Sequence, residues 1–245
     1  MPLSASCNAA GFSPTSDDVF GRIAARYDLL CDLFSFGIHR RWKRRVAEII
    51  AREPWKELLD VACGTGDIVS RVLEHGLQEA QHIVACDLSP QMLDIAQRRL
   101  SKQHHPVELR CLDANSLSDV APSSVDLYSI SLGLKICERR AVLREAMRVL
   151  RPGGRLVVLE ASNILVPWMQ NAYLRYMSAC MPVVGWIATG GDASAYRYLL
   201  QGIREFPTAE QLADELRELG FQEVSFERLS LGIVAIHVAR KPTHK

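Results

Sequence analysis

The order of elements predicts an α/β protein. The expected architecture is a doubly wound, seven-stranded, mostly parallel sheet with an N-terminal helical cap and a C-terminal β-hairpin. Three observations predict it. Short apolar runs alternate with amphipathic helical stretches between residues 57 and 159, the pattern of βα repeats. The first run, Leu58-Leu59-Asp60-Val61-Ala62, enters a glycine turn, Cys63-Gly64-Thr65-Gly66, and the second ends in a carboxylate, Asp87. That order builds a nucleoside pocket at the carboxyl ends of the first two strands. The last two runs, 223–228 and 233–239, flank a short glycine-containing connection and can pair with each other.

Each element follows from its own residues. Val19, Phe20, Ile23, Ala24, Tyr27 and Leu30 recur at helical spacing, and a second, basic helix lies near residues 40–46. Strand 57–62, helix 67–75 and strand 82–87 follow. Ser89 caps the next helix, with Pro90 in its first turn and Leu93, Ala96, Gln97 and Leu100 along it. Strand 107–111 leads into Asp113-Ala114-Asn115, and strand 125–131 precedes a helix over 139–150. Arg151-Pro152-Gly153-Gly154 reads as a stop before a fifth strand, 155–159. Thr208 to Gln211 forms a capping box for a helix closed by Gly220. Residues 1–17 read as a flexible tail and 18–241 as one domain, with 18–52 its cap and 161–206 an insertion. Within that insertion Trp168, Met169, Ala172, Tyr173 and Tyr176 form an apolar stripe suited to a lid over an apolar substrate; core packing is the alternative.

Composition narrows the classes. The 245 residues suit one α/β domain. A net charge of +1 argues against nucleic acid as a partner. The seven cysteines lack C-x-x-C pairing, so they read as reduced thiols in a cytoplasmic protein, with no metal site expected. The apolar stretch 161–191 is broken by Pro167, Arg175, Pro182 and Gly185, so it does not span a bilayer. The basic run from Arg40 to Arg45 allows at most peripheral contact with anionic lipid. The sequence leaves open whether the chain forms a homodimer.

The turn chemistry selects the nucleoside. A dinucleotide site prefers a small third residue in G-x-G-x-x-G/A, where this chain has Val69. Asp67 sits directly after Gly66, and a carboxylate there competes with a pyrophosphate for the helix N-terminus. S-adenosylmethionine has no phosphate and presents an amine and a sulfonium, so it is the expected cofactor. Asp87 can accept both hydrogen bonds of a ribose diol.

Six stretches in order resemble the ubiquinone/menaquinone-biosynthesis C-methyltransferases of the class I, Rossmann-like fold. They begin with Arg26-Tyr27-Asp28-Leu29-Leu30 followed by Ser35-Phe36-Gly37-Ile38-His39-Arg40-Arg41-Trp42-Lys43, and continue with the turn from Asp60 to Asp67. Arg148-Val149-Leu150-Arg151-Pro152-Gly153-Gly154, Tyr196-Arg197-Tyr198-Leu199, Ile203-Arg204-Glu205-Phe206-Pro207 and Gly232-Ile233-Val234-Ala235-Ile236-His237 complete the match. The resemblance implies methyl transfer from S-adenosylmethionine to carbon of a prenylated quinol-type ring. It also implies that Thr65 holds the methionine part, Asp87 the ribose, and Asp113 and Ala114 the adenine, with Ser131 a further contact. Tyr27, Asp60, Gly64 and Gly66 complete the expected cofactor set.

One departure lies at the expected acceptor site. The family continues after the fourth strand with Gly-Leu-Arg-Asn, whereas this chain has Gly133-Leu134-Lys135-Ile136; its Glu-Phe-Ser is here Glu160-Ala161-Ser162. Lysine is a point charge where arginine offers a planar fork. A ring carbon becomes nucleophilic when a neighbouring hydroxyl ionises, so a base or a cation is needed. Lys135 is the first candidate for the cation, with His39, Tyr27 and Tyr196 as partners. The same departure favours a second reading, methylation at carbon, nitrogen or oxygen of a soluble aromatic metabolite. A third is cofactor binding without methyl transfer.

Overall fold

Both faces of a single sheet are covered by helices, which is why its strands are apolar almost throughout. The computed structural model describes Ala24 and residues 27–78, 80–103, 105–189 and 194–243, and no side chains of 181–199. The chain runs α1 (Tyr27–Ser35), α2 (His39–Ala51), β1 (Glu57–Val61), α3 (Asp67–Glu74), β2 (His82–Asp87), α4 (Pro90–Leu100), β3 (Val107–Cys111) and β4 (Val125–Ser131). A 3-10 turn, Leu134–Ile136, leads to α5 (Arg139–Val149), β5 (Leu150–Ala161), α6 (Pro167–Thr189), α7 (Ser194–Glu205), α8 (Ala209–Glu218), β6 (Gln222–Leu229) and β7 (Val234–Arg240).

The described residues form a seven-stranded sheet of order β3-β2-β1-β4-β5-β7-β6. The first five strands are parallel, and β7 is antiparallel to both β5 and β6. Strand side chains alternate between two cores. Leu59, Tyr128, Ile130 and Val158 face α5 and α8, whereas Leu58, Leu127, Val157 and Leu159 face α2, α3 and α4. The strand order reverses beside β1, where β2 lies on one side and β4 on the other, and doubly wound sheets bind ligands at such a point.

The hairpin forms as expected. The helix ends where Arg151 to Gly154 signal a stop, α5 closing at Val149; the strand start is corrected, because β5 begins at Leu150 rather than at 155 and these residues lie within it. Leu150 pairs with Val125, a register shift follows, and Gly153 adopts φ 78° to absorb it. Cys31, Cys63, Cys86, Cys137 and Cys180 are free thiols. Cys111 is disulfide-bonded, which corrects its reading as a thiol; it ends the edge strand β3 and is only half-buried. The predicted first helix falls largely on 19–23 and 25–26, outside the described residues. No described helix is long and apolar enough to cross a membrane.

Candidate active site

The site forms where β1, β2 and β4 end side by side. Leaving β1, the chain reverses through Ala62 (φ 51°), Gly64 (φ 55°) and Gly66 (φ 74°) before α3 starts. A Cβ on Gly66 would meet Ala96 Cβ and Leu100 Cδ1 at 3.2 Å, so this glycine seats α3 against α4. A Cβ on Gly64 would meet nothing within 4 Å, so space lies open above it. Tyr27, Lys43, Asp60, Gly64, Thr65 and Ser131 line the resulting cleft.

Asp87 is held as a rigid acceptor behind the turn. Its Oδ2 accepts from Gly64 N at 2.8 Å and its Oδ1 from Ser89 N at 2.9 Å. Leu112 N donates to Asp87 O at 3.2 Å, bringing the loop after β3 alongside. In that loop Asp113 Oδ1 accepts from Asn115 N and Nδ2 at 2.8 and 2.9 Å, and Ala114 is buried.

Two buried oxygens in the cleft lack partners. Asp60 Oδ1 accepts from Ser129 Oγ at 2.5 Å, but its Oδ2 has no hydrogen bond, and neither has Ser131 Oγ. Burial pushes the Asp60 carboxyl up to about 7; Asp87 adds to this, while Ser129 and Lys43 oppose it. An unsatisfied buried polar group costs about 1–3 kcal/mol, so two in one cleft mark a place for a ligand with polar groups. The acidic turn is partly neutralised: Asp67 pairs with Lys43 Nζ at 3.0 Å and Arg71 Nε at 3.1 Å. Burial raises the Asp67 carboxyl, but Lys43 and Arg71 outweigh it and the net shift is downward.

α1 closes over the turn. Thr65 Oγ1 donates to Asp28 Oδ1 at 2.9 Å and accepts from Arg99 Nη1 at 3.0 Å, and Arg99 also pairs with Asp28. The Tyr27 hydroxyl bonds to Cys31, and that sulfur, followed by burial, holds the phenol well above its ordinary pKa. Tyr27 is therefore a proton-bearing donor at neutral pH.

The catalytic candidates are placed differently from one another. His39 is buried in the cap, where Nδ1 lies 2.8 Å from Ser35 Oγ. That hydroxyl donates to Cys31 O at 2.6 Å, so His39 Nδ1–H must be the donor to it. Burial and then Lys43 lower the histidine's pKa, keeping it neutral. The Lys135 ammonium is turned into the wall beneath the cleft, bonded to Leu132 O and to Glu160 Oε1 at 3.0 Å. Glu160 also accepts from Lys135 N at 3.1 Å and Ala161 N at 2.7 Å. Lys135 thus stands behind Leu132, itself a lining residue, rather than on the lining. Tyr196 falls on α7, and its side chain lies outside the described residues. α7 packs on the Lys135 turn: a Cβ on Gly202 would meet Lys135 O at 3.0 Å.

The sequence reading missed Lys43, Arg99 and Asp28. Lys43 sits within the basic run read as a peripheral lipid contact, yet it shares a helical face with Trp42, Val46 and Ile50, all buried. That spacing was a readable signal. Nothing local announces Arg99 or Asp28, which reach Thr65 from α4 and α1, far apart in sequence.

The glycine turn, the unpartnered Asp60 and Ser131 oxygens and the fixed Asp87 fit a ligand carrying an ammonium and a ribose. On this sheet they define an S-adenosylmethionine-dependent methyltransferase of the class I fold. A SAM-dependent methyltransferase from Thermotoga maritima shares the fold, with TM-score 0.65 at 16% identity over 92% of this chain and 99% of that one. The chain belongs to the ubiE/COQ5 methyltransferase family, whose profile matches residues 12–241. It is 40% identical over 221 residues to the ubiquinone/menaquinone biosynthesis C-methyltransferase UbiE of Cereibacter sphaeroides, covering 89% of this chain and 87% of that one. It is 37% identical over 244 residues to the mitochondrial 2-methoxy-6-polyprenyl-1,4-benzoquinol methylase of Oryza sativa subsp. japonica, covering 91% and 82%.

Proposed function

We propose that the chain methylates a ring carbon of a quinol-type aromatic acceptor. The observation that carries this is the retained cofactor cleft, with Asp60 Oδ2 and Ser131 Oγ unpartnered, in a chain whose relatives are named for quinol methylation along nearly its whole length. When bound, S-adenosylmethionine supplies an electrophilic methyl group on a sulfonium. Asp60 would take the ammonium, Asp87 the ribose hydroxyls, Thr65 the methionine part, and the loop at Asp113 and Ala114 the adenine. α1 excludes water above the turn, and Tyr27, its hydroxyl engaged by Cys31, lines the cleft beside it. Lys135, paired with Glu160 behind the Leu132 wall, would lower the pKa of a ring hydroxyl only by turning from that carboxylate into the cleft, since the closed pair carries no net charge. His39, neutral and engaged with Ser35, positions the cap; Tyr196 is a further acceptor-side candidate.

The Lys135-Ile136 pair favours a second reading, a soluble aromatic metabolite as acceptor, because an apolar wall replaces an amide there. Mass spectrometry of products from a panel of quinols and soluble aromatic acceptors separates the two. A gain of one methyl on a quinol ring carbon is expected. Methylation confined to soluble acceptors would replace the first reading with the second, and unchanged acceptors throughout would overturn both. The double change Lys135→Arg with Ile136→Asn is expected to raise turnover of quinols relative to soluble acceptors.

A further inference from the structure

Exposed hydrophobic side chains scattered singly over a surface need no explanation, but a contiguous group does. Among the described residues, every large hydrophobic side chain left exposed falls on one of three segments. These are α1 with the turn after it, the β5–α6 connection with the first three turns of α6, and the turn between β6 and β7. Phe36 is 77% exposed, and Trp168 and Leu231 are each 71% exposed.

The three segments adjoin. Phe36 stacks on Tyr176 with ring centroids 5.9 Å apart, joining the α1 turn to α6. A Cβ on Gly232 would meet Asn163 O at 2.5 Å, so the β6–β7 turn bearing Leu231 lies against the strand exit leading to Leu165. Trp42 Nε1 donates to Ser230 Oγ at 2.8 Å, setting α2 beside the same turn. All of this lies beyond the carboxyl end of β5, on the side where α1 covers the glycine turn.

Among the described residues, the carboxylates of α1 beside the group are paired, and the exposed charges of α2 and α6 that border it are arginines. Arg40, Arg41 and Arg44 stand exposed along α2, and Arg175 along α6. Arg40 binds Asp32 at 2.8 Å, which places the α2 stripe directly beside Leu33 and Phe36 and neutralises that carboxylate. The other acid of α1, Asp28, is paired with Arg99. α6 contains no acidic residue. An apolar, aromatic face rimmed by arginines is complementary to an anionic phospholipid surface, with rings at headgroup depth and guanidinium groups on phosphates.

We propose that this face docks on an anionic bilayer, with Phe36, Trp168 and Leu231 inserted and Arg41 and Arg44 on the headgroups, so that the mouth of the active site opens toward the lipid. The docking is independent of the acceptor reading and can be tested without any acceptor. The full chain would be sedimented with vesicles of phosphatidylcholine alone and of phosphatidylcholine with phosphatidylglycerol. Binding to the anionic vesicles, weakened by salt, is the expected result. Arg41→Gln and Arg44→Gln should each weaken that binding about fivefold. Phe36→Ser with Trp168→Ser should reduce it at least as much, with cofactor affinity by calorimetry unchanged because both side chains are exposed. No vesicle binding by the unmodified chain, or variants that bind as well as it does, would overturn the proposal. So would a dimer that the same variants dissociate while vesicles pellet no protein, which would assign the face to a second copy.

Discussion

Asp60 is the residue on which charge and ligand binding meet. Its carboxyl lies at about 7 in the fold because of burial, against about 3.9 in an unfolded chain. The native state therefore holds a proton that the unfolded state releases between these values. Stability contributed by this group is full below about pH 4, falls as pH rises toward 7 and is level above, a loss of order 4 kcal/mol at most. Asp60→Asn should flatten that slope in denaturant titrations at pH 5 and pH 8. A cofactor ammonium requires the ionised carboxylate, so affinity should rise with pH through about 7. The same variant should bind the cofactor about tenfold or more weakly, without that pH dependence; unchanged affinity by calorimetry would remove Asp60 from the ammonium site. Asp87→Ala should abolish cofactor binding, because it removes the expected ribose acceptor and the partner of Gly64 N. Asp60, Asp87 and Ser131 were legible in the sequence because strand periodicity places them at carboxyl ends of strands. The orientation of Lys135 was not. It depends on Glu160, which a sequence shows only as a residue of the next strand, whereas the fold brings its carboxylate to 3.0 Å from the ammonium.

At the scale of elements, the site depends on how tightly neighbours approach. Gly133 shows this: a Cβ there would meet Ala62 Cβ at 2.7 Å, where the exits of β1 and β4 cross. Gly133→Ala should cost about 1–3 kcal/mol and weaken cofactor binding, read by denaturation and calorimetry together. α1 is tied to the turn through Asp28, Thr65 and Arg99, while Leu30 is its one buried residue. Asp28→Ala should accelerate hydrogen exchange across α1 with no change in β1 or β4; equal exchange would mean that packing alone holds the helix. The hairpin was legible, but its placement was less so. β7 lies inside and β6 at the edge because Val234, Ala235 and Ile236 are buried on both faces, whereas Gln222, Glu223, Ser225 and Glu227 tolerate water. The start of β5 was hidden because proline and glycine commonly end elements, and only pairing with β4 overrides that tendency.

Across the whole molecule, the N-terminal helices and the sheet share one core. Val46, Ala47 and Ile50 are fully buried in the cluster that contains Leu58, Leu127 and Val157. Arg155 makes the join polar as well. From the middle of β5 it donates to Ile49 O, Ile50 O and Glu53 O, each at 3.2 Å, supplying donors to the carbonyl end of α2. Its side chain is only 5% exposed, so no water replaces those bonds when it is removed. Arg155→Met should therefore cost about 3 kcal/mol, a drop of roughly 6–12 °C in Tm for a chain of this size. Because α2 also carries Lys43 into the cleft, the cap expected over 18–52 should open with the sheet as one cooperative unit. Native-state hydrogen exchange decides this: the slowest amides of α2 and β5 should open with the same free energy, and Arg155→Met should lower both equally. If α2 alone lost protection, the helix would be a detachable cover whose local melting sets access to the site.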